Sequence, residues 1–289
     1  MATLQSIRKR ITSVRNTRQI TRAMKLVAAA KLRRAQENVV AARPFAEKIA
    51  EVLGRLAVRV DVDAHPLLEC REGKRAEIVV IASDRGLCGG FNANVIRKAE
   101  AFLLEREPRD VEVTVSVVGR KAREYFGRRG RTLRKVVTDL KGGPGFGLAA
   151  EIGDELIARY LSGEVDEVYV IYGEFRSAIS QQPMVNRILP VGELPSPGEE
   201  SDELGVDYTY EPSAGALLER LLPRYVHLLI HQALLESAAS EQGARMTAME
   251  SATNNASEMI DRLTLVYNRA RQAAITTELV EIVSAAEAL

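Results

Sequence analysis

The sequence predicts an α/β fold with a long coiled coil: a central Rossmann-like α/β domain, and an antiparallel two-helix coiled coil made by the two ends of the chain. Glycine and proline, which interrupt helices, lie almost entirely between Pro44 and Pro223. The end blocks carry apolar residues at coiled-coil spacing, and the middle alternates strand-like with helix-like runs. We therefore expect an amino-terminal helix within 1–59, a sheet domain at 74–211 and a carboxy-terminal helix within 213–289.

The first block predicts one helix of about 55 residues. Its apolar stripe begins with residues at alternating steps of three and four, namely Leu4, Ile7, Ile11 and Val14. Polar side chains then hold that register at Arg18, Thr21 and Lys25. We expect the stripe to shift onto Ile20, Met24 and Val27, and to return at Leu32, Ala35 and Val39.

The last block repeats the same pattern over a greater length. Its heptad line contains Leu228, Leu235, Met246, Met249, Ala256, Ile260, Leu263, Tyr267, Ala270 and Ala274. A helix from Arg224 to Ala286 would be roughly 95 Å long at 1.5 Å per residue, so it outruns a domain of this size. Since a lone helix with so narrow a stripe is poorly stable, it needs a partner.

Charge favours the first block as that partner. Residues 1–43 contain eleven Lys or Arg and the single acid Glu37, whereas residues 224–289 contain five basic and eight acidic residues. Opposite charges at the two ends favour their pairing. The tail is also rich in Ala, Ser, Thr and Met, which let another surface approach closely. It either packs against its own domain or forms a smooth shaft inside another protein, and its length favours the shaft.

The middle block predicts a mainly parallel sheet covered by helices, because strands and helices alternate. The strand-like runs are Ile78–Ala82, Val111–Val118 and Val168–Tyr172, and the helical runs are Asn94–Glu105, Arg120–Arg128 and Leu148–Leu161. Residues 188–211 are rich in Pro, Gly and acidic side chains and are expected to form a loop.

A glycine-rich turn, SDRGLCGGFN at 83–92, stands where many proteins seat a phosphate. A dinucleotide site requires G-x-G-x-x-G and a P-loop requires Gly-Lys-Ser or Gly-Lys-Thr, whereas here Gly90 is followed by Phe91. The spacing favours a structural corner over phosphate binding. Cys88 in this turn is expected to be buried and inert, because no His lies nearby in sequence to activate it as a nucleophile.

The remaining features exclude several classes of protein. His227 and His231 share a helix face, but without a third ligand pattern surface histidines are favoured over a metal site. Two distant cysteines fit a reducing compartment, and the charged start predicts no signal peptide. Sequence spacing leaves two uses of the basic first helix open, contact with a protein partner or with nucleic acid. A membrane surface is less favoured, because Phe45 is its first Phe or Trp.

Three segments together resemble the gamma subunit of the F-type ATP synthase, and the resemblance extends over essentially the whole chain. They are RQITRAMKLVAAAKLRRAQ at 18–36, SDRGLCGGFN at 83–92, and the tail from Ala244 onward. The resemblance implies a rotor without an active site or cofactor, whose coiled coil enters a hexamer of alpha and beta subunits. Its Rossmann-like domain would hold no nucleotide and would meet the epsilon subunit and the c-ring. Nucleic acid is then not a partner, and membrane contact runs only through the c-ring.

The resemblance also implies contact residues and a location. Met24 and Lys25 resemble a neck segment facing the beta subunits, and Arg245 resembles a shaft residue that pairs with beta carboxylates. Tail positions resembling an upper contact with beta are Gln272, Thr276, Glu278 and Glu281. A looser match in DYTYEP assigns contact with the c-ring or epsilon to Tyr208, Tyr210 and Glu211. We expect one copy per complex, on the cytoplasmic face of a bacterial plasma membrane, since the helix pattern at Met1 argues against a transit peptide.

Overall fold

The computed structural model describes residues 3–57, 65–71, 74–106, 112–139, 143–192, 211 and 213–287. The described helices are α1 (Leu4–Ala57), α2 (Phe91–Arg106), α3 (Arg120–Arg128), α4 (Phe146–Leu161) and α5 (Ala214–Glu287). The described strands are β1 (Arg75–Ile81), β2 (Glu112–Val118), β3 (Leu133–Val137), β4 (Glu167–Phe175) and β5 (Gln181–Leu189). The chain divides into two compact units, and α1 and α5 contribute to both. The coil unit comprises the residues up to Ala29 together with those from Arg245 onward, and the sheet unit comprises Ala30–Ala244.

The sheet unit contains a five-stranded mixed sheet in the order β3-β2-β1-β4-β5. β1 pairs in parallel with β2 and β4, and β3 continues the parallel set beside β2. β5 is antiparallel to β4 and lies at the sheet edge. The predicted α/β class with a mainly parallel sheet is confirmed.

The sequence did not predict the two edge strands β3 and β5. Both are weakly apolar, and β5 contains Pro183, which an edge strand tolerates because its outward side needs no ladder hydrogen bond. The loop expected over 188–211 begins later than predicted, because Ile188 and Leu189 still belong to β5 and are buried.

Two apolar clusters cover the two faces of the sheet. Alternate residues of β1 point to opposite faces, so Val79 and Ile81 join one cluster, whereas Ile78 and Val80 join the other. The first cluster includes residues of α1, α4 and α5, and the second includes residues of α2 and α3. The predicted helix Arg120–Arg128 has the observed bounds of α3.

α5 begins at Ala214, within the range 213–289 expected for the carboxy-terminal helix, and contains Pro223. A proline inside a helix removes one backbone hydrogen bond and disfavours the preceding turn. Here Leu222 and Val226 on either side of Pro223 are fully buried in the first cluster, and their burial offsets that cost. Tertiary packing therefore extends the helix through a residue that indicates a helix end in the sequence.

The coil unit has an apolar seam between α1 and α5. Ile7, Ile11 and Ile260 are buried there, and the half-buried residues around them are Val14, Leu263, Tyr267 and Ala270. These residues lie on the two predicted heptad lines, so the terminal pairing is confirmed.

The predicted shift of the stripe on α1 is wrong. Thr21 is buried in the original register, and Thr253 Oγ1 donates a 2.8 Å hydrogen bond to Thr21 Oγ1. Lys25 Nζ pairs with Glu250 Oε1 at 2.5 Å one turn further along. Because polar partners satisfy these register positions, Ile20 and Val27 remain 60% and 56% exposed.

Charge complementarity between the ends contributes less than the composition predicts. Lys25 finds Glu250, but several other cations of α1 form no ion pair with any residue that the structure describes, namely Arg8, Lys9, Arg10, Arg15 and Arg22. Apolar burial and the threonine contact therefore join the helices of the coil unit.

Candidate partner-binding surface

The crevice at the carboxyl ends of β1 and β4 is filled by protein side chains. In a sheet of this order ligands bind at that crevice, where the strand order reverses. A Cβ placed on Gly173 of β4 would lie 2.6 Å from Phe91 Cε2 and 3.4 Å from Ser240 Cβ of α5. Ser237 Oγ, also on α5, donates a 3.4 Å hydrogen bond to the Ile81 carbonyl at the end of β1. α5 and Phe91 thus take the space that a nucleotide would need.

The turn 83–92 is held by its own side chains. The Ser83 amide donates a 2.9 Å hydrogen bond to Asn92 Oδ1, and Ser83 Oγ donates a 2.6 Å bond to the Arg85 carbonyl. Asn92 Nδ2 in turn donates to Cys88 Sγ at 3.1 Å. Cys88 is buried, as predicted. The turn has the geometry of a structural corner.

We expect ATP and NAD to leave the melting temperature of the purified chain unchanged, because Phe91 and α5 fill the crevice. A ligand at a hundred times its Kd would add about 2.7 kcal/mol to the free energy of unfolding. Thermal unfolding with and without millimolar nucleotide checks this. A rise of several degrees that depends on nucleotide concentration would contradict it.

The expected surface position of the two histidines is wrong, because His227 is buried and His231 is half-buried. The Phe146 ring of α4 lies edge-on to both imidazoles, at 6.3 and 5.5 Å between ring centroids. Burial lowers the pKa of His231, although a hydrogen bond to the Pro144 carbonyl opposes that shift. Across the described residues, no group of three His, Cys, Asp or Glu side chains could hold a metal ion.

The structure places the predicted neck and shaft residues in different environments. Met24 is half-buried, and Lys25 is engaged with Glu250 rather than free. Arg245 is 9% exposed, so its side chain is largely enclosed by the chain itself. Beside Met24 and Lys25 lie three exposed apolar side chains, Ile20, Leu26 and Val27, which we call the neck surface.

The predicted tail residues Gln272, Thr276, Glu278 and Glu281 are all exposed. Thr276 Oγ1 donates a 2.9 Å hydrogen bond to the Gln272 carbonyl, one turn earlier in α5. Sequence reasoning missed the exposed apolar residues among them, which we call the tail surface: Ile275, Leu279, Val280, Ile282 and Val283. The signal for them was available, since apolar residues continue past the last heptad position, Ala274.

The predicted foot is described only at Glu211, which is exposed. Tyr208 and Tyr210 lie outside the described residues. In the described part of the chain, no helix has an apolar stretch long enough to cross a membrane.

Apolar side chains exposed on a two-helix coil, together with a sheet whose crevice is filled, define a class of protein: a coiled-coil subunit that other chains contact. A family model described as ATP synthase matches residues 3–289. The chain belongs to the ATP synthase gamma chain family. It is 54% identical over 289 residues to the ATP synthase gamma chain of Geobacter sp. (strain M21), covering 100% of this chain and 99% of the relative. It is 54% identical to that of Anaeromyxobacter sp. (strain Fw109-5) over 292 residues, covering both chains fully.

Solved structures agree with the fold. A chain from the central stalk and c-ring of the Tetrahymena thermophila mitochondrial ATP synthase is 26% identical, with a TM-score of 0.61 over 81% of this chain and 99% of that chain. A chain from the OSCP/F1/c-ring structure of the Euglena gracilis mitochondrial ATP synthase is 23% identical, with a TM-score of 0.69. That alignment covers 99% of this chain and 94% of the other.

Proposed function

We propose that this chain is the central rotor stalk of a bacterial F-type ATP synthase and has no active site of its own. It couples ion-driven rotation of the c-ring to conformational change, and so to ATP synthesis or hydrolysis, at the beta subunits. Its partners are the alpha–beta hexamer, the epsilon subunit and the c-ring, with one copy per complex. It sits peripherally on the cytoplasmic face of the plasma membrane, through the c-ring.

The exposed apolar side chains of the coil unit are the observation that carries this proposal. The neck surface and the tail surface expose eight apolar side chains in the part of the chain that the structure describes. Such surfaces in soluble proteins mark contacts with other proteins. Lys25 and Met24 beside the first surface, and Gln272, Thr276, Glu278 and Glu281 within the second, are the beta contacts we propose. Arg245 is proposed to contact a carboxylate of a beta subunit. The proposed contacts with the c-ring or the epsilon subunit are Tyr208, Tyr210 and Glu211.

Coupling by such a shaft rests on differential contact. A partner shifts a conformational equilibrium only by the difference in its affinity for the two conformations. The neck surface lies on α1 and the tail surface on α5, so the coil presents different side chains to each of three beta subunits. Rotation of the coil therefore transfers this shift in conformational equilibrium from one beta subunit to the next.

The coil can rotate easily only if no single contact with the hexamer is strong. Exposed ion pairs are worth about 0–1 kcal/mol each, which suits a contact that is made and broken at every turn. Exposed positions of α5 between Glu250 and the start of the seam at Ile260 include the small or polar residues Ser251, Asn254 and Asn255. These side chains do not interlock strongly with a neighbour.

Assembly tests the proposal most directly. We expect the chain, co-expressed with alpha, beta and epsilon subunits of a close bacterial relative, to co-purify with the hexamer. Membranes that carry all the other subunits should pump protons during ATP hydrolysis only when this chain is also present. A monomeric chain that never associates with the hexamer, or that is retained on DNA in a salt-sensitive manner instead, would contradict it.

We expect Lys25→Ala to reduce ATP-driven proton pumping several-fold while lowering the free energy of unfolding by about 1 kcal/mol or less, because its ion pair is partly exposed. Glu250→Gln is the matched control, since it removes the same ion pair but keeps the Lys25 ammonium. If Lys25 serves the beta subunits, only Lys25→Ala impairs pumping per ATP hydrolysed. Equal loss in both variants would show that the ion pair within the coil is what matters.

A further inference from the structure

A surface groove runs between α1 and α5 within the coil unit, apart from the neck and tail surfaces. Its volume is about 380 Å³. α1 contributes Arg10 and Val14, and α5 contributes Met259, Arg262, Leu263 and Val266. Arg10 and Val14 are four apart on α1, and Met259, Leu263 and Val266 follow at steps of four and three on α5, so each set lies on one helix face. The groove therefore has an apolar floor with a guanidinium group from each helix.

The floor is not closed by the chain itself. The Met259 and Val266 side chains are 51% and 50% exposed. Val14 and Leu263 are half-buried against the seam. Burying such surface contributes roughly 25 cal/mol per Å² of apolar area, so an apolar side chain that covers the floor is favoured.

The two arginines lack a carboxylate partner. Neither Arg10 nor Arg262 forms an ion pair or side-chain hydrogen bond with any residue the structure describes, although Glu258 and Asp261 stand close in sequence. A guanidinium carries five N–H donors in a planar fork that matches a carboxylate. The neighbouring cations of α1, Arg8 and Lys9, are also without acidic partners among the described residues, so the local field attracts an anion.

We propose that this groove seats an acidic segment of a surrounding subunit. An Asp or Glu carboxylate lies between the Arg10 and Arg262 guanidinium groups, and an apolar side chain about one helical turn away covers Met259, Leu263 and Val266. The inference rests on the proposed function, because it is the enclosing hexamer that supplies the segment. The neck and tail surfaces alone would leave the part of the coil between them without a contact. The groove adds a specific binding site in that part and defines the chemistry of the segment that it binds.

A photo-crosslinker in the groove tests the proposal in the assembled complex. Met259→p-benzoylphenylalanine places the reactive ketone on the exposed floor, and mass spectrometry identifies the captured peptide. The test variant is R10E/R262E, and the matched control is R15E/R269E. The control makes the same change in net charge at two exposed arginines, one on each helix, that do not line the groove.

We expect capture of an alpha- or beta-subunit peptide that contains Asp or Glu beside an apolar residue. R10E/R262E should reduce that capture about tenfold, as expected for reversal of two exposed ion pairs, and the control by less than about twofold. Capture of a peptide without an acid, capture of nucleic acid, or equal loss in both variants would overturn the proposal. If the hexamer co-purifies but nothing is captured, the seat is wrong and the rotor function stands. If the hexamer does not co-purify with the unmodified chain, both are wrong.

Discussion

Replacing Glu77 with alanine is expected to lower the free energy of unfolding of the sheet unit by about 3–5 kcal/mol, because it removes the fully buried acid that pairs with two largely enclosed arginines. Glu77 lies on β1 and is fully buried. Its Oε1 accepts 2.6 Å hydrogen bonds from Ser116 Oγ and Arg134 Nε, and its Oε2 accepts a 2.7 Å bond from Arg159 Nη1. One carboxylate thus joins β1 to β2, β3 and α4.

The two arginines cannot move freely to water when Glu77 is lost. Their side chains are 21% and 17% exposed, and each keeps one further acid, Glu155 for Arg134 and Glu164 for Arg159. The remaining pairs do not replace the buried one, since they lie nearer to solvent. Glu77→Gln should be damaging too, because an amide offers one acceptor oxygen where the carboxylate offers two.

Hydrogen exchange of β1 and β2 peptides across a urea series measures this effect in the sheet unit alone. The control is Glu151→Gln, which removes the 3.0 Å pair with Lys135 at the outer end of the same network. Glu151 is 66% exposed, so we expect a loss of less than about 1 kcal/mol. Comparable losses in Glu77→Ala and Glu151→Gln would contradict the assignment of Glu77 as the centre of the network.

Gly119→Ala is expected to cost about 3 kcal/mol or more, through strain and overlap together. Gly119 links β2 to α3 with φ at 102°, a conformation that side-chain-bearing residues rarely adopt. An added Cβ would lie 2.2 Å from the Ala82 carbonyl oxygen. That oxygen belongs to the backbone, so no rotamer change relieves the overlap. The Gly119 amide also donates a 2.7 Å hydrogen bond to the Val137 carbonyl, which holds the position from the other side.

Gly130→Ala separates strain from overlap. Gly130 also has a positive φ, of 69°, but a Cβ there would meet no atom within 4 Å. We expect a cost of about 1–2 kcal/mol from the backbone conformation alone. The difference between the two variants, measured by urea unfolding of the full chain followed by circular dichroism, is then the cost of the overlap with Ala82 together with the greater backbone strain at Gly119. No difference would mean that the β2–α3 link shifts without cost.

The sequence predicted the elements in which local pattern and tertiary burial agree. α3 has its predicted bounds, and the seam of Ile7, Ile11 and Ile260 follows the predicted heptads. β3 and β5 were missed because edge strands bury little, so alternation is weak in their sequences. That α5 continues through Pro223 is not visible locally, because a proline is unfavourable inside a helix and the burial of Leu222 and Val226 cannot be read from neighbouring residues.

The candidate contact residues, like the fold, were only partly predictable from the sequence. Motif resemblance alone assigns Lys25, Arg245 and the polar tail positions as contacts, whereas the exposure of Ile20 and Val27 was predicted in the wrong sense. Periodicity assigns an apolar residue to the buried side unless a polar residue is known to have a partner there. The partners of Thr21 and Lys25 are Thr253 and Glu250, which lie more than two hundred residues away along the chain.

By itself, the sequence determined the class of fold, the pairing of the chain's ends and the family, because spacing, helix breakers and motifs are properties of neighbouring residues. Only the tertiary structure decided which stripe of α1 faces α5, what fills the crevice of the sheet, and where Glu77 finds its two arginines. Those outcomes depend on partners distant in the chain, and a buried polar group is stable only where its partner lies within hydrogen-bonding distance.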